Sequence, residues 1–299
     1  MMLRHIVVLI VLCLILIAVV VSYNMFVRRE IRIIATTTTS LYATGLLDEL
    51  ESEIKKIYPY IDIDFVPVGS GEALRRAEMG DVHMVFVHAP SLEAKYIEKG
   101  IISNQVIFAY NYFIIAGPPN DPAGIRDINN ATEAFKKIFK AGEMGRTVFV
   151  SRGDNSGTHV KESSIWKQAG LNSSGKNWYL ETGSGMSETL RIANERRGYV
   201  LTDISTFLKL KKEGKLPNLE ILLGESEELI NIYSAYITNK CSGEVKEAVL
   251  KILKYLSTEF QDVIANYGVD KFGKPLFNPA KGKENYLKQK WELLAHIKT

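Results

Sequence analysis

Four short segments rich in Ser, Thr and Gly hold the concentrated hydrogen-bond donors of this 299-residue chain: Thr36-Thr37-Thr38-Thr39-Ser40, Gly69-Ser70-Gly71, Ser151-Arg152-Gly153-Asp154-Asn155-Ser156-Gly157-Thr158 and Gly183-Ser184-Gly185-Met186. Hydroxyls donate hydrogen bonds, and glycines let a ligand approach the backbone. Where such a segment opens a helix, the unpaired amides of the first turn add roughly half a positive charge. Any one of these segments alone reads as an ordinary N-cap or turn. Four of them, one with a guanidinium, describe a cradle for an anion. The candidate ligands are Thr38, Thr39, Ser40, Gly69, Ser70, Gly71, Arg152, Ser156, Gly157, Thr158, Ser184, Gly185 and Met186. Arg152 is the only formal cation among the four segments, and its planar fork suits a tetrahedral oxyanion. Asp154 either caps the following helix or pairs with Arg152 and holds its rotamer; the supporting role behind Arg152 is preferred.

Other chemistry is weaker. His83 and His88 fall on opposite faces of an expected strand, which disfavours a shared metal, and His159 reads as a helix-start residue. Cys241 has no motif around it, and Cys13 lies in an apolar run, so the folded part has no internal disulfide. No P-loop, Gly-x-Ser-x-Gly or His-Glu-x-x-His segment occurs, which weakens nucleotide hydrolase, serine hydrolase and zinc protease readings. The cradle also lacks acids. Apart from Glu72 and Asp154, assigned to a first helical turn and to Arg152, no carboxylate stands ready to accept the proton of monohydrogen phosphate. That favours a dianion without a proton of its own.

Strands and helices alternate around these segments, which predicts an α/β fold with mostly parallel sheet. Strands are expected at Ile31–Ala35, Ile61–Val68, Val82–Val87, Thr147–Ser151, Trp178–Glu181 and Tyr199–Thr202. Helices are expected at Leu41–Tyr58, Glu72–Met79, Ala131–Ala141, Ser156–Ala169, Met186–Glu195, Gly243–Asn266 and Glu284–Ile297. Each candidate segment then lies between a strand and a helix, at the sheet ends where open α/β folds bind ligands. Extended stretches at Asn111–Gly117 and Asn231–Thr238, with the Pro118-Pro119-Asn120-Asp121-Pro122 cluster as a break, predict two chain crossings. The expected lobes are 30–116 with 231–299, and 117–230. An internal echo supports two lobes: Gly69-Ser70-Gly71 with Leu74-Arg75-x-Ala77 against Gly183-Ser184-Gly185 with Leu190-Arg191-x-Ala193, the second copy carrying two extra residues.

With 46% hydrophobic and 24% charged residues the chain is an ordinary globular mixture. Its net charge of +3 resides in residues 1–29, where Arg4, Arg28 and Arg29 meet no acid; the remainder carries 34 charges of each sign. A neutral remainder argues against nucleic acid as a partner, so anion preference must be local. The sixteen apolar residues Ile6–Val21 span roughly 24 Å as a helix, and extension to Val27 reaches the ~30 Å of a bilayer core. Residues 1–29 are therefore read as an uncleaved membrane anchor, with an export signal as the alternative.

The joint pattern resembles the tungstate-binding proteins that serve ABC importers. It runs from Ala35-Thr36-Thr37-Thr38-Thr39-Ser40 and Gly45-Leu46-Leu47-Asp48 through Val66-Pro67-Val68-Gly69-Ser70-Gly71, Gly80-Asp81-Val82 and Val87-His88-Ala89-Pro90. It continues through Gly117-Pro118-Pro119-Asn120-Asp121-Pro122-Ala123-Gly124-Ile125, Ser151 to His159, Trp178-Tyr179, Gly183-Ser184-Gly185-Met186 and Leu201-Thr202-Asp203, in family order over residues 31–240. The resemblance implies a periplasmic-binding-protein fold of type II, a cleft for tungstate or molybdate with no cofactor, and delivery to an ABC permease outside the cytoplasm by a monomer. Two positions depart from the pattern: Leu41 stands where another Thr is usual, and Ile204 where Arg is common. Phosphate-binding proteins share the Arg-x-Asp-x-Ser-Gly-Thr segment, so molybdate, sulfate and phosphate stay open as ligands. An enzyme acting on a phosphorylated substrate and a transport-independent anion sensor stay open as other classes.

Overall fold

The computed structural model describes residue 5, residues 9–19 and residues 30–296. Residues 9–19 form helix α1 with their apolar side chains exposed. Among the described residues no helix is long and apolar enough to cross a membrane, and the rest of the expected anchor lies outside them.

From residue 31 strands and helices alternate: β1 (Ile31–Thr38), α2 (Thr39–Thr44), α3 (Leu46–Ile57), β2 (Ile61–Val68), α4 (Ser70–Met79), β3 (Met84–Val87), α5 (Pro90–Glu98) and β4 (Ile102–Gly117). Then come α6 (Ala131–Glu143), β5 (Phe149–Ser151), α7 (Gly157–Gln168), β6 (Tyr179–Glu181), α8 (Met186–Arg196), β7 (Val200–Asp203), α9 (Ile204–Lys212) and β8 (Glu220–Leu223). A 3-10 turn at Glu227–Leu229 leads into β9 (Ile230–Thr238), α10 (Gly243–Ser257), α11 (Phe260–Asn266), α12 (Val269–Phe272), β10 (Asn278–Pro279) and α13 (Glu284–Ala295).

Two sheets share the long strand β4. In one, β2, β1 and β3 are parallel, β9 runs antiparallel beside β3, and β4 and β10 complete the order β2-β1-β3-β9-β4-β10. In the other, β6 and β5 are parallel and a bridge from Phe149 to Tyr199 reaches the entry to β7; β7 and β8 run antiparallel to β4. Each sheet therefore places its first strand between its second and third, and takes its next strand from a chain crossing. This is the two-lobed α/β fold of type II, with two crossings at the hinge.

β4 changes partner between Tyr112, opposite Ile230, and Phe113, opposite Asp203. The crossing thus occurs inside a continuous strand, upstream of the proline cluster. Asp121 pins that cluster as a turn: its carboxylate accepts from the Ile125 and Arg126 amides and from the Tyr199 hydroxyl. We accordingly assign 30–112 with 230–296 to the first lobe and 113–229 to the second.

Each lobe has its own core. Ile33, Leu47, Leu50, Phe86, Phe108, Val249 and Phe260 pack in the first, and Phe135, Phe149, Trp166, Trp178 and Tyr199 in the second. The helix expected over Leu41–Tyr58 is two helices, because Gly45 takes a φ of 86° and the Tyr267 hydroxyl sits 2.8 Å from where its Cβ would be. The helix expected over Gly243–Asn266 likewise breaks at Thr258. Helices α5 and α9 and strand β8 have no counterpart in the expected elements. In α5 the buried side chains are Ser91 and Glu93, and the Glu93 carboxylate accepts from the Ala89 amide, the Tyr236 hydroxyl and the Trp291 indole, so polar chemistry interrupts the apolar stripe that marks a helix.

The internal echo becomes exact in register once the caps are known. Gly69 caps α4 and Gly185 caps α8. Counting from the caps, Glu72 matches Glu188, Leu74 matches Leu190, Arg75 matches Arg191 and Ala77 matches Ala193, with no insertion. In both helices the Arg pairs with the Glu one turn before it. The two-residue offset arises only from aligning the Gly-Ser-Gly tripeptides instead of the caps.

Candidate functional site

All four donor-rich segments are strand-to-helix junctions, β1 to α2, β2 to α4, β5 to α7 and β6 to α8. They lie at the carboxyl ends of their strands, where β1 and β5 flank the point at which the strand order reverses. Contacts join all four. Arg152 Nη2 donates to Thr39 Oγ1 across the lobes at 3.2 Å. A Cβ on Gly185 would meet Thr39 Oγ1 at 3.8 Å; one on Gly69 would meet the Asp154 carbonyl at 3.6 Å, and one on Gly71 would meet Asn155 Nδ2 at 2.5 Å. Within the second lobe the Gly183 amide donates to the Arg152 carbonyl at 2.8 Å.

Arg152 is 2% exposed. Its Nε and Nη2 donate to Asp154 Oδ2 at 3.2 and 2.5 Å, while Asp154 Oδ1 accepts from the Ser156 amide. Asp154 thus pairs with Arg152 and braces the loop at once. The remaining guanidinium nitrogen, Nη1, is buried and unpartnered. So are Ser70 Oγ at the start of α4 and Thr158 Oγ1 at the start of α7. Buried donors normally find a partner. Here these three, together with Thr37 Oγ1 of the β1 junction, stand without partners on the junctions of both lobes, beside first-turn amides that helices leave unsatisfied.

The other expected residues take varied places. Thr38 caps α2 by accepting from the Leu41 amide and lies 3.4 Å from Ser40 Oγ; both side chains are buried. Ser156 caps α7 by accepting from the His159 amide, which leaves its own hydroxyl proton available. Gly157 is the first residue of α7. Ser184 is spent within its own loop: its hydroxyl donates to the Thr182 carbonyl and its amide to Thr182 Oγ1. Met186 packs in the second lobe against Val150, Leu190 and Ile204, so only its amide, the first of α8, faces the ligand question. Ser184→Ala is therefore expected to change anion affinity less than threefold, about 0.6 kcal/mol or below, as read by calorimetric titration.

The two departures from the family pattern are core residues. Leu41 is fully buried among first-lobe side chains, and Ile204 lies in the second-lobe cluster beside Met186. Glu72 points to Arg75 and Arg76, whose guanidinium hydrogen bonds hold its carboxyl down to about 2. His159 Nδ1 accepts from the Asn155 amide and so shapes the loop, with Asn155 at a φ of 55°. His83 Nδ1 accepts from the Ile34 amide between strands.

One residue at the cleft was undervalued by sequence reasoning. His88 directly follows β3, beside the strand-order reversal, and is buried. Its ring stacks on Tyr233 with centroids 4.9 Å apart, and a Cβ on Gly157 would lie 2.8 Å from its Nε2. Burial, with Arg152 adding to it, pulls its pKa down to about 4, so the ring is neutral at ordinary pH. The signal available was position: the residue after the third strand of an open sheet faces the ligand crevice.

Comparison with known proteins bears on the family and the fold. Residues 28–259 match the PBP superfamily domain. The tungstate-binding protein TupA of Peptoclostridium acidaminophilum is 34% identical over 256 residues, covering 84% of this chain and 86% of the relative. Among solved structures, the tungstate-binding protein TupA of Desulfovibrio alaskensis is 36% identical with a TM-score of 0.69, covering 83% of this chain and 98% of that one. The tungstate ABC transporter protein of Geobacter sulfurreducens is 40% identical, also at 0.69, covering 80% and 100%.

Proposed function

This chain belongs to the tungstate-binding proteins of the PBP superfamily, and from that membership we propose that it captures one tungstate dianion per chain between its lobes. The carrying observation is the set of buried donors without partners on these junctions: Arg152 Nη1 and Thr158 Oγ1 in one lobe, Thr37 Oγ1 and Ser70 Oγ in the other. Thr39, Ser40 and Ser156 hydroxyls and the first-turn amides of α2, α4, α7 and α8 complete the proposed donor set. Gly69, Gly71, Gly157 and Gly185 let these backbones approach. A site of donors alone suits an anion with no proton of its own. The protein would hand the anion to an ABC permease outside the cytoplasm, held at the membrane by its N-terminal segment and acting as a monomer without a cofactor. An enzymatic role finds little support. The ring nitrogens near the cradle belong to His88, whose low pKa makes it a weak base, and to His159, whose Nδ1 already accepts from the Asn155 amide.

Calorimetric titration of residues 30–299 with tungstate, molybdate, sulfate and phosphate tests the proposal. Tungstate is expected to bind at one site per chain, and phosphate least. Tight phosphate binding with no competition from tungstate would overturn it.

Affinity is also expected to vary less than about threefold between pH 6.5 and 8.5, because hydroxyls and amides keep their protons there and the pKa values of His88 and His159 are both lowered by burial. Two groups on α7 set the sign of what remains. Burial raises Glu162 to about 7 and lowers Lys161 to about 8. Protonating either makes the helix more positive, so binding should strengthen slightly toward acid. Glu162→Gln should flatten the lower half of that drift. A maximum near neutral pH would instead indicate a carboxylate selecting monohydrogen phosphate.

A further inference from the structure

A chain of buried hydrogen bonds runs from the C-terminal part of the first lobe, through a helix of the second, to the cleft. Its direction is forced by one end. The Leu276 carbonyl can only accept, so the Ser205 hydroxyl donates to it at 2.6 Å. Ser205 Oγ then accepts from Asn111 Nδ2 at 2.8 Å, which turns Asn111 Oδ1 toward Asn231. Asn231 Nδ2 donates to that oxygen at 2.9 Å and to the Tyr233 hydroxyl at 2.8 Å, which turns Asn231 Oδ1 toward His88. At 2.8 Å that oxygen accepts from His88 Nδ1. The proton of the neutral ring is therefore on Nδ1, and Nε2 carries a bare lone pair with no partner. His88, Asn231, Asn111 and Ser205 are all 2% exposed or less.

We propose that Ser205, Asn111 and Asn231 are positioning residues of the cleft: their one-way relay from Leu276 fixes His88 as the Nδ1–H tautomer and ties that tautomer to the closed arrangement of the lobes. Ser205 lies on α9 of the second lobe, whereas Leu276 and His88 lie on the first and the two Asn side chains on the strands that cross between lobes. Any opening that carries α9 away from Leu276 breaks the last link and frees both amides to rotate. His88 meanwhile packs on Gly157, the first residue of the helix offered to the anion. A ligand that closes the lobes must then strengthen the relay, and by linkage the relay must strengthen the ligand. The charged groups acting on the ring are Arg152 and Asp154 from the opposite loop; Lys161 lines the cavity of about 30 Å³ beside it, and Asp203 acts on the Tyr233 stacked on it.

The coupling to affinity rests on the proposed function, whereas the tautomer does not. Nitrogen chemical shifts of His88 in the wild type and in Ser205→Ala, with and without tungstate, test both. Without added anion the wild type should already favour a protonated Nδ1 over a protonated Nε2, because the lobes close part of the time, and saturating tungstate should make that preference complete from about pH 5.5 to 8.5. Ser205→Ala, which removes no hydrogen bond of His88 itself, should shift both nitrogens toward a tautomer mixture and weaken tungstate about tenfold. A protonated Nε2 in the wild type, or His88 shifts unmoved in Ser205→Ala, would overturn the relay, and an unchanged tungstate affinity would overturn its coupling to closure. If Ser205→Ala does not fold, the wild-type shifts alone decide the tautomer, and Asn231→Leu repeats the affinity arm. Wild-type protein that binds none of the four oxyanions would defeat the proposed function, and the shifts without anion would still judge the relay.

Discussion

Arg152→Ala is expected to weaken tungstate binding by two to three orders of magnitude, the largest loss of any single substitution in the cleft. Two effects add. The anion loses Nη1, among the described residues the one charged donor that is buried and unpartnered. In addition Asp154, whose side chain is 19% exposed, keeps its carboxylate but loses the guanidinium that neutralises it, so a free negative charge faces the anion. Removing one partner of a buried ion pair typically costs about 3–5 kcal/mol, and each 1.4 kcal/mol is about tenfold in affinity. Adding Asp154→Asn to Arg152→Ala should recover part of the loss, because it removes the repulsion and not the missing donor. Arg152→Lys keeps the charge without the fork and should cost about 1–3 kcal/mol, with poorer discrimination among tungstate, molybdate and sulfate. Asp154→Asn alone should do less harm than Arg152→Ala. Calorimetry on the set decides, and unchanged affinity in Arg152→Ala would place the residue outside the site.

Gly157→Ala and Gly71→Ala are expected to weaken tungstate at least tenfold while leaving each lobe folded. Neither glycine has a φ in the left-handed region, so a side chain there meets no backbone strain. The obstacle is the other lobe. A Cβ on Gly157 would lie 2.8 Å from both Nε2 and the carbonyl oxygen of His88, and one on Gly71 would lie 2.5 Å from Asn155 Nδ2 and 3.1 Å from the Asn155 carbonyl. Backbone on one side of each contact cannot step aside, so the lobes must stay apart by a fraction of an ångström or more. Alanine in the first turn of a helix otherwise raises helix propensity by up to about 1 kcal/mol, so the melting temperature without ligand should hold or rise. Small-angle scattering should show less compaction on adding tungstate. A variant that binds as tightly as wild type would mean the anion is held without this close approach. A loss of affinity with a lowered melting temperature would point to damage within a lobe.

Much of this organisation is local and therefore legible in the chain. The strand at Ile61–Val68 has the bounds expected of it, since a turn and a glycine-rich junction flank it. Most other helices and strands shift by a residue or two. The elements that escaped notice do so for identifiable reasons. In α5 a buried Glu93 stands in the apolar stripe, and it is tolerated only because Tyr236 and Trp291, far away in sequence, donate to it. Thr258 breaks a helix whose apolar periodicity continues on both sides.

The four donor-rich junctions, the single guanidinium among them and its brace Asp154 follow from residue type and spacing, because capping, loop flexibility and a two-residue ion pair are short-range effects. Which donors are free is a different matter. Ser184 and Ser70 look alike in sequence, yet the first spends its proton on the Thr182 carbonyl while the second is buried without a partner. Met186 reads as part of the cradle, and its side chain is core, which leaves only its amide for that role. The place of His88, the relay through Asn231, Asn111 and Ser205, and the glycines that press on the opposite lobe join residues as far as 143 positions apart. Residue types announce the capacity to donate, but burial and the neighbours brought by the fold decide whether that capacity is already used, and only the folded chain brings those neighbours together.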